Sequence, residues 1–395
     1  MARRVTLAWS GHTGLARRGL FALTKPMGNV VYRVAAGAAA LLAATGLAAA
    51  GLAGPARAAA ITPASAPAWR VVKSVPGADF TAVAATGRAG GWAFATSAAG
   101  PGPAPSAWRR SGSSWTRVPF PGQRDEVVMA AQATSAGDVW AFTTGGSRSR
   151  ALHWNGRAWS VQRTFTRQIG GAAVIGPGDV WVFGQPVFPA ASFGAWHYDG
   201  RTWSQVASGR GLEGGSGLSA RDAWAFEGTD VAHWNGSAWS RTSVARLLPA
   251  RQASHLNDPA VTGVFEQSRD SVYATGNGNQ QDDGGPVVLL HWNGRQWPKV
   301  AGGLFGFGVQ PVQQISSDGH GGLWLPMPGA GTQKSYLLHY AAGHLTAAAL
   351  PGATRTSIGT VSRVPGTAQV LAGGFTHAAN QPATGDAGVL VQYGS

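Results

Sequence analysis

The sequence predicts an all-β protein made of tandem repeats, and three observations support this. First, the motif His-Trp-Asn-Gly-x-x-Trp recurs at residues 153–159, 233–239 and 291–297, with the variant His-Tyr-Asp-Gly-x-x-Trp at 197–203. Second, 58 Gly and 17 Trp accompany only 12% charged residues, a composition that favours strands and tight turns. Third, no segment after the first 60 residues keeps apolar residues at helical spacing, so we expect almost no helix.

The clearest repeat spans residues 126–162 and contains four short apolar runs. They lie at residues 127–133, 139–142, 151–154 and 158–161. Ser135-Ala136-Gly137-Asp138 separates the first two runs, and Asn155-Gly156 separates the last two. Asn-Gly favours a two-residue hairpin turn, because both residues tolerate the positive φ that such a turn needs. Each repeat therefore predicts four antiparallel strands joined up and down.

An aromatic residue in the second strand marks the length of the repeat. These positions are Trp92, Trp140, Trp181, Trp224, Tyr273 and Trp324, with Val370 as the last equivalent, and successive positions lie 41 to 51 residues apart. Four-stranded units of this length are typical of β-propeller blades. The sequence thus predicts a seven-bladed β-propeller of four-stranded antiparallel blades.

The two ends of the repeat region each hold part of one blade. Residues 358–361, 368–371 and 389–393 supply three strands, and no fourth strand follows them. Residues 68–72, Ala-Trp-Arg-Val-Val, match the fourth strand of the clearest repeat. We therefore expect residues 68–73 to pair with residues 389–393 and close the ring, which hides two strand edges. A ring of six blades would leave both segments unpaired. The propeller domain is predicted at residues 62–395.

Residues 1–60 are predicted to be a secretory signal peptide. Basic residues precede an apolar run at about 34–54, and Ala56-Arg57-Ala58 provides a small-x-small cleavage site. Arg17-Arg18 suggests twin-arginine export as one alternative, and an uncleaved membrane anchor is another. Sec export with cleavage fits the spacing best. We expect a secreted protein, extracellular or cell-wall associated, with no membrane span after cleavage.

Removal of the signal peptide changes the charge of the chain. The remaining chain has 24 basic and 17 acidic residues, a formal net charge of +7 rather than +14. This charge supports solubility and weak attraction to anionic polymers, and it does not indicate nucleic-acid binding. Because the sequence lacks cysteine, burial of apolar side chains rather than disulfides must stabilise the fold.

The order Gly-Asp-Val-Trp-Ala-Phe, a variable loop and then His-Trp-Asn-Gly-x-x-Trp-Ser resembles exported repeat propellers of high-GC Gram-positive bacteria. The resemblance covers nearly all of residues 68–395 and implies the fold and the export, with little about activity. Gly373-Gly374 adds a distant similarity to kelch and galactose-oxidase-type propellers. The cysteine–tyrosine copper cofactor of that oxidase requires a cysteine, which this sequence lacks. We expect no cofactor.

Histidines recur in the third strands, and aspartates recur in the turns between the first and second strands. The histidines are His153, His197, His233, His291 and His339, and the aspartates are Asp138, Asp179, Asp222, Asp270 and Asp318. Equivalent positions in different blades lie on a circle around the axis, so these side chains cannot converge on one metal ion. We expect the imidazoles to hydrogen-bond a neighbouring strand or the Gly-Asp turn, and we predict no metal site. The variant motif at 197–203 also resembles the Asp-box turn of sialidases, which is itself structural.

Binding residues are expected where the repeat varies. The loops between second and third strands vary most in length, and one of them carries Asp282-Asp283, which suits either a calcium loop or, more simply, a polar loop. The crossings from one blade to the next carry Arg124, Arg167, Arg210, Arg251 and Arg355. The hypothesis is that these guanidinium groups form a rim that binds an anionic ligand such as an acidic glycan or a carboxylate. The alternative is that they are solvated arginines, partly neutralised by nearby acidic residues.

The preferred function is a secreted binding module for an unknown extracellular glycan or protein, monomeric and without a nucleic-acid partner. One alternative is a polysaccharide-acting hydrolase or lyase with its site at the channel mouth, and another is a purely structural protein. The carboxylates available for catalysis are Asp125, Glu126, Glu213 and Glu266, and their spacing identifies no catalytic pair. The catalytic residues of such an enzyme therefore stay unknown.

Overall fold

A computed structural model describes the protein at residues 68–97, 104–145, 148–184, 194–207, 211–250, 258–278, 286–304, 314–327, 335–351, 355–377 and 387–394. The predicted signal peptide lies outside the described residues. Twenty-eight strands form seven four-stranded antiparallel sheets. Strand β1 (Trp69–Pro76) belongs to the last of these blades.

The first four blades follow one another along the chain. Blade 1 contains β2 (Ala78–Gly87), β3 (Gly90–Ser97), β4 (Ser106–Ser111) and β5 (Ser114–Val118). Blade 2 contains β6 (Val127–Ser135), β7 (Asp138–Gly145), β8 (Arg148–Trp154) and β9 (Trp159–Phe165). Blade 3 contains β10 (Ile169–Gly176), β11 (Asp179–Gly184), β12 (Ala195–Tyr198) and β13 (Trp203–Ala207). Blade 4 contains β14 (Gly214–Ser219), β15 (Asp222–Glu227), β16 (Asp230–Trp234) and β17 (Trp239–Ser243).

The last three blades complete the ring. Blade 5 contains β18 (Ala260–Ser268), β19 (Ser271–Asn277), β20 (Val287–Trp292) and β21 (Lys299–Leu304). Blade 6 contains β22 (Ser316–Ser317), β23 (Leu323–Met327), β24 (Tyr336–Ala341) and β25 (His344–Ala347). Blade 7 contains β26 (Arg355–Arg363), β27 (Val370–His377) and β28 (Ala387–Tyr393), and β1 is its fourth strand. A single 3₁₀ turn at Ala245–Leu247 is the helical content of the described residues.

Closure of the ring follows the sequence prediction. Strand β1 pairs antiparallel with β28, and Trp69 lies opposite Tyr393 in the register. Seven separate apolar cores lie between successive blades, and the last of them joins blade 7 to blade 1. The predicted seven-bladed β-propeller is therefore confirmed, as is the pairing of residues 68–73 with residues 389–393.

The first strand of each blade lies at the centre of the ring, where neighbouring first strands are joined by side-chain hydrogen bonds. Gln132 Nε2 donates to the Ala172 carbonyl oxygen at 3.1 Å, and the Val174 amide donates to Gln132 Oε1 at 2.7 Å. Gly171 of β10 lies against Gly214 of β14. A Cβ on Gly171 would lie 2.6 Å from the Gly214 Cα, so β10 and β14 approach more closely than a side chain permits. The central strands thus form a tightly joined ring.

The repeated motif encodes the contacts between blades. At the interface of blades 1 and 2, Trp92 contacts Trp154 and Trp159, with ring centroids 4.9 and 5.0 Å apart. The same three positions meet between blades 2 and 3, 3 and 4, 4 and 5, and 6 and 7, whereas blades 5 and 6 meet through Tyr273 and Tyr340. Aromatic rings in such edge-to-face and tilted pairs add stabilisation beyond their buried area. The aromatic residues of the motif therefore pack neighbouring blades against each other.

One sequence expectation about these positions needs correction. In blade 7, Leu371 rather than Val370 is the second-strand equivalent, because Leu371 pairs with Gln392 as Trp140 pairs with His153. Twelve indole N–H groups, including that of Trp140, are buried without a hydrogen-bond acceptor among the described residues.

The molecule has two ends, which we name from their connections. The turn face carries the turns between first and second strands and between third and fourth strands. The loop face carries the loops between second and third strands and the crossings to the next blade. After residue 68, each gap between described ranges falls between a second and a third strand or between two blades. Nowhere in the described ranges does a helix have the length and hydropathy to cross a bilayer.

Candidate functional site

The recurrent histidines bind aspartates of their own blades. The Nε2–Oδ distances are 2.6 Å for His153–Asp138, 2.7 Å for His197–Asp179, 2.8 Å for His233–Asp222 and 2.8 Å for His339–Asp318. Each imidazole also stacks on the second-strand aromatic ring, for example His153 on Trp140 with centroids 4.5 Å apart. The expected hydrogen bond from imidazole to the Gly-Asp turn is confirmed in these four blades.

Blade 5 departs from this arrangement. His291 Nε2 lies 2.9 Å from Ser271 Oγ, so Ser271 takes the place that an aspartate holds in the other blades. Asp270 lies in the turn between β18 and β19, as the sequence predicted, but it sits against Gly294 and is not the hydrogen-bond partner of His291. Burial lowers the pKa of His291.

These His–Asp pairs are separate structural units rather than a shared site. Each joins a turn of a blade to the third strand of the same blade, and blade 7 replaces the pair with a hydrogen bond from Gln392 Nε2 to Gln369 Oε1 at 3.0 Å. No group of three or more His, Cys, Asp or Glu side chains is placed to hold a metal ion within the described part of the chain. The pairs hold the tautomer and orientation of the imidazoles.

The structure describes two of the five predicted rim arginines in full. Arg124 and Arg167 lie exposed on the loop face, on the two crossings that flank blade 2. Arg210 and Arg251 lie outside the described residues, as do Asp282 and Asp283 of the candidate calcium loop. Arg355 begins β26, and its side chain is not described.

A third exposed arginine, Arg148, lies on the loop face at the start of β8. Sequence reasoning missed it because it follows a loop within blade 2 rather than a crossing between blades. No ion pair joins Arg124, Arg148 or Arg167 to any carboxylate that the structure describes. We call these three residues the loop-face arginine patch.

Short contacts bring the three backbone segments of the patch together. A Cβ on Gly145 would lie 2.5 Å from the Asp125 carbonyl oxygen, so the crossing before β6 lies against the end of β7. Gly145 pairs with Arg148 in the ladder between β7 and β8. The Ile169 amide donates to Ser149 Oγ at 2.9 Å, which holds the crossing before β10 beside β8. The three arginines therefore emerge from one corner of blade 2.

A buried ion pair fixes the crossing that carries Arg124. The Arg150 guanidinium donates to both carboxylate oxygens of Glu126, with Nε 2.8 Å from Oε1, and both side chains are 6% exposed. The Gln123 amide also donates to Glu126 Oε2 at 2.9 Å. Asp125 adopts a φ of 64°, which is uncommon for residues other than glycine. Glu126 is thus neutralised internally, and Arg124 and Asp125 stay at the surface.

The carboxylates considered for catalysis do not form an acid–base pair among the described residues. Glu126 is bound to Arg150, and Glu213 Oε1 accepts from the Gly228 amide at 3.4 Å. Glu266 lies near the end of β18 on the turn-face side and is 3% exposed. Burial foremost, and then the charge of Asp222, raise its pKa to about 8. A closed interior position of this kind leaves no room for substrate.

The comparisons with known proteins support the fold. No family model matches the sequence, and no curated protein matches it. A structure of YCF48 bound to D1 peptide is 12% identical with a TM-score of 0.52, covering 83% of this chain and 97% of that one. The RRP9 WD40 repeats are 12% identical with a TM-score of 0.55, covering 83% and 99%. The GH74 xyloglucanase from Xanthomonas campestris is 15% identical with a TM-score of 0.52, covering 78% and 52%. At these identities the similarity shows a β-propeller and nothing about activity.

Proposed function

We propose that the protein is a secreted, monomeric binding module, and that its loop-face arginine patch holds an anionic ligand such as an acidic glycan. The observation that carries this proposal is the local charge balance at blade 2. Three exposed guanidinium groups share one corner, while the nearest glutamate is occupied by the buried Arg150. Asp125 is the exposed acid of that corner, so the excess of positive charge is two.

The chemistry of the patch favours carboxylate or sulfate groups. Guanidinium groups present planar donor pairs that match the two oxygens of such anions, and they keep their charge at every physiological pH. The rigid crossing before β6 and the short connection within blade 2 position the patch with little loss of entropy on binding.

The test uses two triple variants with the same change in charge. The assay uses a protein of residues 61–395, which contains every strand of the ring. We expect it to be retained on polygalacturonate or dextran sulfate and not on neutral dextran. Substitution of Arg124, Arg148 and Arg167 by Gln is expected to weaken the affinity by about tenfold or more. The control carries Gln at Arg157, Arg201 and Arg295, which lie on the turn face. We expect the control to bind as the unmodified protein does.

Two outcomes would contradict the proposal. Equal loss in both triple variants would mean that net charge alone causes retention, and unchanged binding of the loop-face variant would remove the patch from consideration. Assay of reducing sugar released from the same polymers addresses the hydrolase or lyase alternative. Release of sugar would overturn a function limited to binding.

A further inference from the structure

The turn face carries exposed arginines on most blades. They are Arg88 in blade 1, Arg157 in blade 2, Arg201 in blade 3, Arg221 in blade 4, Arg269 and Arg295 in blade 5, and Arg70 in blade 7. Blade 6 contributes two exposed histidines, His320 and His344. The structure describes the turns of this face in every blade, which is not so for the loop face. The positions of its charged residues are therefore known around the whole ring.

The arginines of the Asn-Gly-Arg turns are held outward by the turn itself. Asn155 Oδ1 accepts from the amides of Arg157 and Ala158 at 3.0 and 3.1 Å, and Gly156 supplies the positive φ of 91°. Only the amide of Arg157 takes part in the turn, so its guanidinium group stays in solvent. The same bonds form at the turns of Arg201 and Arg295.

Few acidic groups on this face offset the arginines. The aspartates bound to His153, His197, His233 and His339 are largely covered by their blades. Of the described residues, Asp199 and Asp270 are the exposed acids of the face. Two hydrogen bonds from the Arg201 and Thr202 amides occupy Asp199 Oδ1. Arg269 makes one contact with Asp222 at 3.3 Å, and its side chain remains 81% exposed. Seven exposed arginines therefore face two exposed carboxylates.

The arrangement of these charges indicates a flat partner. The arginines are distributed around the ring, one or two to each blade except blade 6, rather than gathered at one corner as on the loop face. A narrow ligand would contact two or three of them, whereas a plane of anionic groups would contact all of them at once. Residue 68 also lies on this side, because β1 begins at the turn face.

From this placement we propose that the turn face docks onto the anionic phospholipid headgroups of a membrane. The docking is peripheral and electrostatic: each arginine near a negatively charged bilayer contributes a favourable interaction that salt screens. The loop face then points away from the bilayer, and its arginine patch stays accessible. This inference stands independently of the function proposed for the loop face.

Sedimentation with vesicles tests the proposal. Residues 61–395, which lack the apolar N-terminal run, are mixed with vesicles of phosphatidylcholine alone or with about 30% phosphatidylglycerol. We expect sedimentation with the anionic vesicles only, and its loss at high salt. Gln at Arg157, Arg201 and Arg295 should lower the partition coefficient by about tenfold or more, because each arginine near the surface contributes separately. The turns keep their backbone bonds in this variant.

The loop-face triple variant is the matched control, and it should sediment as the unmodified protein does. Equal sedimentation with neutral vesicles, or no change in the turn-face variant, would overturn the proposal. Equal loss in both variants would also overturn it, because net charge rather than this face would then govern binding. The glycan assay and the vesicle assay use different ligands and opposite variants, so either proposal can fail while the other holds.

Discussion

Trp69 lies opposite Tyr393 across the seam of the ring, with ring centroids 5.4 Å apart. Trp69 also meets Trp324 of blade 6 edge to face at 5.1 Å. These rings join the first strand of the chain to the last strand and to the neighbouring blade. Closure of the propeller thus uses the same aromatic packing that joins the other blades.

Replacement of Trp69 by Ala should destabilise the whole propeller. Trp69 is 7% exposed, and truncation of a buried Trp typically lowers the free energy of unfolding by about 3–5 kcal/mol. Val71, two residues along the same strand, is 49% exposed, and Val71→Ala should change it by less than about 0.5 kcal/mol. Urea unfolding followed by tryptophan fluorescence measures both. Similar effects of the two substitutions would mean that the seam contributes little to stability.

Removal of only one partner of the buried Glu126–Arg150 ion pair should destabilise the protein. Glu126→Leu alone leaves the Arg150 guanidinium uncompensated in the interior, which typically lowers stability by about 3–5 kcal/mol. Replacing both residues, Glu126→Leu with Arg150→Met, should recover most of that loss because no buried charge remains. A double-mutant cycle by urea unfolding measures the coupling. Additive losses in the double variant would show that the two charges do not interact.

Repeat periodicity predicted the fold because most interfaces between blades reuse one set of aromatic positions. The spacing of Trp92, Trp140 and their equivalents gave the number of blades, and the match of residues 68–72 to a fourth strand gave the closure. The assignment failed by one residue where the aromatic is lost, since Leu371 and Val370 are both apolar and only the ladder distinguishes them. The periodicity of the sequence identifies equivalent positions only in blades where the packing contact is repeated.

The candidate sites were less accessible from sequence, because they depend on which segments meet. Arg148 belongs with Arg124 and Arg167 only through the contacts of Gly145 and Ser149. The turn-face arginines follow Asn-Gly or lie in the other turns, positions that the repeat itself explains. Their common exposure on one side of the ring becomes a surface property only once the strands are placed.

Glu266 stands where every other blade has a small, aliphatic or basic residue, and it faces an ionisable cluster. Its amide donates to Ser216 Oγ at 3.0 Å, and its carboxyl group is buried beside the Asp222 carboxylate. The neighbouring Asp222 carboxylate is itself bound to His233 and Arg269. Ionisation of Glu266 would therefore place a second negative charge between blades 4 and 5.

The pKa of Glu266 predicts that stability declines as the pH rises. Burial raises this pKa from 4.5 to about 8 in the folded protein, whereas the unfolded chain releases the proton near 4.5. The contribution of protonated Glu266 to the free energy of unfolding is complete below pH 4.5 and is lost as the pH rises to about 8. Over this range the free energy of unfolding falls by at most about 1.4 kcal/mol per pH unit. Glu266→Gln keeps the shape without the charge, so it should match the unmodified protein at low pH and exceed its stability above neutrality.

The control is Asp79→Asn. Burial raises the pKa of Asp79 only to about 6, so the effect of this substitution on the pH dependence of stability should end near that pH. Urea unfolding across this range measures all three proteins. Parallel curves for the Glu266→Gln variant and the unmodified protein would show that Glu266 titrates normally.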